Sequence, residues 1–159
     1  MNSLDLLLFN LLHSLTGVSG LVDWIVVFLA EYLPFLILAG LAFFLYFRPR
    51  LRSRIFSFLF LALTGLVSNG IIVGVSRFVW DRPRPFLSLD IESLLTNSSP
   101  AFPSGHASLF FAVAFVVLYL DRRWGWVFLC SAVVNGLARV SAGLHWPSDV
   151  LGGVLAAGL

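Results

Sequence analysis

From Ile55 to Ser76 the chain runs 22 residues without a charged side chain. A helix rises about 1.5 Å per residue and needs roughly 20 apolar residues to cross a hydrocarbon core. This stretch is therefore a membrane span. That single feature restricts the chain to architectures that satisfy their own backbone hydrogen bonds inside lipid.

Further spans follow with less margin. Leu21 to Phe47 is interrupted by Asp23 and Glu31, while Pro103 to Leu120 and Trp124 to Ala138 are close to the minimum length. With 59% hydrophobic and 11% charged residues, the chain is not a water-soluble domain. A closed barrel would alternate apolar and polar positions in segments of about ten residues, and no such alternation runs through this chain. The expected fold is all-α: a polytopic transmembrane bundle of about five to six helices forming one domain over residues 1–159. The N-terminal run "LDLLLFNLLHSL" is short for a crossing and reads as an interfacial or re-entrant helix, with a short true span as the alternative. "VLGGVLAAGL", after Pro147, predicts a short or truncated last helix. The N-terminus lacks a basic n-region and a cleavage site, so the first helices are expected to act as their own insertion signal. Cys130 has no partner cysteine and reads as a small core residue.

All ten basic residues are arginines, and they fall into two groups. Arg48, Arg50, Arg52 and Arg54 crowd one link, and Arg122 and Arg123 another, which the positive-inside rule places in the cytoplasm. Arg77, Arg82, Arg84 and Arg139 fall at the opposite ends of the same spans, where that rule expects few positive charges. The outer face thus collects these four with His106, His145 and Asp149. Trp24, Trp80 and Trp146 are expected in the outer aromatic belt, and Trp124 and Trp126 in the inner one.

The outer segments carry the chemistry. In "PSGH", residues 103–106, Pro opens a helix without losing a hydrogen bond, while Ser104 and Gly105 leave N–H groups open at its positive end. Such an end binds anions, phosphate above all. Arg77, Arg84 and Arg139 have planar forks that match phosphate oxygens in pairs. Converging guanidinium groups beside lipid are costly unless an anion neutralises them. Asp149 follows His145 by four residues, a spacing that lets its carboxylate reach one ring nitrogen and leave the other as a nucleophile. His106 can then give a proton to the leaving oxygen. Three histidines with no cysteine pair and no clustered carboxylates make poor material for a metal site, so the expected reaction is phosphoryl transfer without metal or cofactor.

These residues resemble the type 2 phosphatidic acid phosphatase superfamily, which also includes vanadium haloperoxidases. Its first block, a basic residue, six others and Arg-Pro, is matched by Arg77 through "FVWDRP" to Arg84-Pro85, with arginine where lysine is usual. Pro-Ser-Gly-His is matched at 103–106. The third block, Ser-Arg, five residues, His, three residues, Asp, appears as Arg139, "VSAGL", His145, "WPS", Asp149, with Ala138 replacing the serine. The resemblance implies His145 as a nucleophile forming phosphohistidine, Asp149 orienting it, and His106 as general acid. It implies that Arg77, Ser104, Gly105, Arg84 and Arg139 hold the phosphate.

Arg82 matches no block position and reads as surface charge or a headgroup contact. Glu31, beside Tyr32 and Pro34 in the first long span, is either a hydrogen-bonded carboxyl at a kink or a contact to the substrate headgroup. "AEYLP" there resembles the undecaprenyl-diphosphatase branch of the superfamily. His13 reads as facing the interface. Ile91 to Leu95 reads as a short amphipathic piece, a lid or a plain connector. The resemblance implies a multi-pass protein of the bacterial plasma membrane whose site faces away from the cytoplasm. Its expected partners are membrane lipids and a lipid phosphate substrate, not nucleic acid. Undecaprenyl diphosphate is favoured over phosphatidic acid or phosphatidylglycerophosphate. A non-catalytic anionic-lipid binder or a haloperoxidase are the competing classes.

Overall fold

A computed structural model describes residues 3–47 and 51–159, the side chain of Leu51 excepted. Arg48 and Arg50 of the basic link lie outside the described residues. Seven helices and no strand occur among those described: α1 (Ser3–His13), α2 (Gly20–Tyr46), α3 (Arg52–Val79), α4 (Pro85–Leu89), α5 (Gly105–Leu120), α6 (Arg122–Ser141) and α7 (Pro147–Gly158).

The architecture is an all-α membrane bundle. In the apolar stretches of α2 and α3 only 22% and 17% of residues are buried, so most of their side chains face outward. Leu59, Leu63, Phe78 and Leu155 are among the large apolar residues on that outer surface. In water this would be an aggregation surface; against acyl chains it is the natural one.

Helix α5 is the core of the bundle. Phe110, Phe111, Val113, Val116 and Val117 are buried on its several faces, between α3, α6 and α7. Asp121 then accepts N–H bonds from Arg123 (3.0 Å) and Trp124 (3.2 Å), capping α6 and turning the chain back in one residue. Close approach depends on missing side chains at two points. A Cβ on Gly125 would collide with Leu118, and one on Gly153 would lie 2.6 Å from the Ser104 carbonyl oxygen.

Both long helices contain a π-helical stretch, Phe28–Tyr32 in α2 and Leu66–Val73 in α3. A π-turn breaks the regular backbone ladder and releases carbonyl oxygens. In α2 those of Leu29 and Ala30 accept from Asn135 Nδ2 at 2.8 and 3.2 Å, and Ala30 also accepts from Arg139 Nη1 at 3.1 Å. Asn135 and Arg139, one helical turn apart on α6, thus fasten α2 at the depth of Glu31.

With 11 residues, α1 is too short to cross, in keeping with the interfacial expectation. It is nevertheless docked. Phe9 is fully buried against Trp146, with ring centroids 5.2 Å apart. His13 does not simply face the interface: its Nδ1 donates to the Ser141 carbonyl at 2.8 Å and its ring stacks on Phe9. Trp146 likewise departs from the belt expectation, being 2% exposed, because it turns inward onto Phe9 and donates to the Pro83 carbonyl. Trp24 and Trp80 are exposed.

In the loop between α3 and α5 the short helix lies at Pro85–Leu89, where Pro85 presets the first turn, and not at Ile91–Leu95. Residues 91–95 form a non-helical strap. Ser93 Oγ fastens it, donating to the Ala142 carbonyl at 2.6 Å, and Leu94 and Leu95 pack toward Ala30 and Leu144.

Candidate active site

One cavity of about 420 Å³ gathers residues from α2, α3, α5, α6 and the two loops at that end of the bundle. It is lined by Glu31, Arg77, Arg84, Gly105, His106, Arg139 and His145, seven of the nine residues expected from the sequence. Ser104 and Asp149 are fully buried behind its wall. Arg52, Arg54, Arg122 and Arg123 lie at the starts of α3 and α6, whose other ends carry Arg77 and Arg139.

His145 lies in the turn between α6 and α7, which Gly143 opens with φ +84°. Only glycine adopts such a backbone without strain. The His145 Nδ1 is 3.0 Å from the Ala101 carbonyl. A carbonyl can only accept, so Nδ1 carries the proton and Nε2 keeps its lone pair. Nε2 faces Arg84, 3.4 Å from Nη1. Burial first, then the charges of Arg84, Arg139 and Arg77, push His145 well below its ordinary value. At neutral pH the ring is therefore uncharged.

Asp149 contacts this histidine less directly than the four-residue spacing suggested. Its Oδ2 is 3.6 Å from Nδ1, beyond hydrogen-bond length, and accepts instead from the Trp146 N–H at 2.8 Å. Its backbone carbonyl takes the Ser104 N–H at 2.9 Å. Ser104 is thereby removed as a free N–H donor, and its Oγ caps α5 through the Ala107 N–H at 3.5 Å. What remains open toward the cavity at the positive end of α5 is the first turn carrying Gly105 and His106.

The three arginines are held by carbonyls. Arg84, 2% exposed, donates from Nε to the Ser99 carbonyl (2.8 Å), from Nη2 to Ser99 Oγ (3.0 Å) and from Nη1 to the Leu144 carbonyl (2.8 Å). Burial and the neighbouring Arg77 lower it to about 10, so it stays cationic at neutral pH. Arg77 donates to the Pro103 carbonyl at 3.1 Å and Arg139 to that of Ala30; the Nε of each makes no hydrogen bond. Buried guanidinium N–H groups left open in this way supply strong donors for an anion. Glu31 is near enough for its charge to act on Arg139.

Arg82 is not surface charge. It is 13% exposed and forms 2.6 Å ion pairs with both Asp5 and Asp149, behind the cavity. Asn69, Asn97 and Ser99 also line the cavity and were not singled out from the sequence. For Asn69 a signal existed, since it is a lone amide inside the uncharged span. A Cβ on Gly105 would lie 2.9 Å from Asn69 Oδ1, so the glycine lets this amide approach the start of α5.

A membrane bundle with a guanidinium-rich cavity, a neutral histidine and an open helix start is a membrane lipid phosphatase. The chain belongs to the PAP2 superfamily, whose sequence model matches residues 57–159. It is 30% identical over 152 residues to undecaprenyl-diphosphatase BcrC of Bacillus subtilis, covering 94% of this chain and 77% of that protein. The crystal structure of Aquifex aeolicus LpxE superposes with a TM-score of 0.81 at 25% identity, over 98% of this chain and 91% of that one. The phosphatidylglycerolphosphate phosphatase of Bacillus subtilis shares the fold, with a TM-score of 0.62 at 21% identity, over 98% and 80% of the chains.

Proposed function

We propose that the protein removes the terminal phosphate of undecaprenyl diphosphate, giving undecaprenyl phosphate and inorganic phosphate, through a phosphohistidine on His145. The observation that carries this reading is the Nδ1 bond to Ala101, which leaves Nε2 unprotonated beside Arg84 in a cavity shared with Arg77, Arg139 and His106. The similarity to a named undecaprenyl-diphosphatase supports the choice of lipid.

The terminal phosphate rests among Arg77, Arg84, Arg139 and the first-turn N–H groups of α5. Ser104 contributes by shaping that turn. His145 Nε2 attacks phosphorus as the bond to the bridging oxygen breaks, and His106 gives that oxygen its proton. The ring becomes cationic as the Nε2–P bond forms, and the nearby Asp149 carboxylate stabilises that charge. His106, now neutral, takes a proton from water; the oxygen attacks phosphorus, and phosphate leaves with the electron pair returning to Nε2. The arginines act as fixed charges matched to the transferring group. Glu31, facing Arg139, contacts the part of the diphosphate nearer the lipid chain. No metal or cofactor is assigned a role in these steps.

The arginine-rich starts of α3 and α6, opposite the cavity, support a cytoplasmic assignment for that end and an extracytoplasmic site in the bacterial plasma membrane. The helices act as one domain.

The test is phosphate release by purified protein in detergent with EDTA, from undecaprenyl diphosphate and from phosphatidic acid at equal surface concentration. Faster turnover of the diphosphate, abolished by His145→Ala, is expected. A preference for phosphatidic acid would move the protein to glycerolipid metabolism. Release from neither, with lipid binding intact, would make it a binder.

A further inference from the structure

Behind the catalytic wall lies a second polar cluster that the three family blocks do not include. Arg82 Nη1 donates to Asp149 Oδ1 at 2.6 Å and to Ser148 Oγ at 2.7 Å, and Nη2 donates to Asp5 Oδ2 at 2.6 Å. Asp5 in turn accepts the Ser148 N–H at 2.9 Å and its hydroxyl at 2.6 Å, satisfying an orphan donor at the start of α7. The rings of Trp80 and Trp146 flank the guanidinium, its carbon 5.7 and 5.6 Å from their centroids. The cluster borders a separate cavity of about 580 Å³, lined by Leu4, Asp5, Trp80, Arg82 and Ser148. Arg82 does not line the catalytic cavity, so it acts only through Asp149.

We infer that Arg82 and Asp5 are positioning residues that fix the orientation and effective charge of Asp149, and through it the proton affinity of His145. The inference rests on the reading of His145 as nucleophile. Asp149 lies between a guanidinium and an imidazole. Bound to Arg82 alone, its charge would be largely cancelled. Asp5 draws part of the Arg82 charge to its own side, so the three groups together keep one net negative charge beside the ring. That charge favours the cationic ring formed when Nε2 attacks.

The consequence has a sign. Removing the negative Asp5 should weaken proton binding at the centre, whereas removing the positive Arg82 should strengthen it. The other groups facing His145 stay constant in both cases: Arg84 from the loop, Arg77 on α3, His106 on α5 and Arg139 on α6, with Glu31 of α2 across the same cavity.

The experiment measures kcat/KM for undecaprenyl diphosphate against pH, with EDTA, for the wild type, Asp5→Asn, Arg82→Gln, Arg82→Lys and His145→Ala. Thermal unfolding is followed in parallel. The acid limb is expected to move down by about one pH unit in Asp5→Asn and up by about as much in Arg82→Gln, a size typical of a lost neighbouring charge. Arg82→Lys, which keeps the charge but not the fork, returns the limb toward its wild-type position. Folded variants that lose activity with an unmoved limb, or whose limbs move in the same direction, overturn the inference. If Arg82→Gln does not fold, the Asp5→Asn limb decides alone, and an unmoved limb overturns it. Turnover surviving in His145→Ala would instead sink the reading of the site itself.

Discussion

Gly153 lies directly against Ser104: a Cβ at this glycine would stand 2.6 Å from the Ser104 carbonyl oxygen and 2.7 Å from the Ala107 side chain. The same junction holds the Ser104 N–H on the Asp149 carbonyl. Helix α7, with Asp149, and the start of α5, with His106, are therefore seated as one piece. Gly153→Val should wedge them apart. Overpacking of this kind costs about 1–3 kcal/mol, and the expected result is a melting temperature several degrees lower with at least a tenfold loss of phosphate release. Differential scanning of the detergent-solubilised protein beside the activity assay checks both.

The bond between Asn135 and the π-turn of α2 supports a second expectation. Asn135→Leu removes the donor to the Leu29 and Ala30 carbonyls, leaving buried acceptors unsatisfied at about 1–3 kcal/mol. Because Ala30 also receives Arg139, and Glu31 follows in the chain, the loss should raise KM more than it lowers kcat. Steady-state kinetics together with a thermal melt distinguish this from simple destabilisation.

Arg84→Lys keeps a positive charge yet cannot reproduce three donations from a planar fork. The Ser99 and Leu144 carbonyls would lose partners, and the cation would no longer be aimed beside Nε2 of His145. A fall in kcat/KM of about a hundredfold is expected, equivalent to about 2.7 kcal/mol. A variant within threefold of wild type would remove Arg84 from the phosphate site.

The depressed proton affinity of His145 predicts two pH effects. Activity requires the neutral ring, so the acid limb of kcat/KM should lie below the ordinary histidine value of 6.5. For stability, the unfolded chain binds a proton at this residue below about that pH while the folded chain does not. Its contribution is therefore full above that value and declines as pH falls below it. Unfolding temperatures measured from pH 8 to 5 should drop on the acid side, and inorganic phosphate should raise them by occupying the cradle.

The residues of the phosphate cradle were legible because their chemistry demands particular types at short spacings. Arg77 with Arg84, the Pro-Ser-Gly-His turn, and Arg139 with His145 and Asp149 each lie within a few helical turns. Arg82 was not legible, since its role depends on Asp5 and Asp149, which stand 77 and 67 positions away. A charge in such an outer loop resembles any other until its partners are known. The π-turns left no sequence mark, because an extra residue in a helical turn changes the hydrogen-bond register and not the apolar pattern. Trp146 was placed by a rule for tryptophans in contact with lipid headgroups, and Phe9 on α1 gave it a protein partner instead. Hydropathy identified the spans well, but it could not separate α4 from the strap beyond it, where both are short and mixed in polarity.

The hydrogen bonds from Ser148 to Asp5 join positions 143 residues apart. As the chain is made, at about 5–20 residues per second, α1 through α6 enter the membrane before His145 and Asp149 exist. For seconds the growing protein carries its arginines and His106 but no nucleophile. Catalysis starts only when the last helix returns to the first one, so completion of the polypeptide serves as the timer for its own activity.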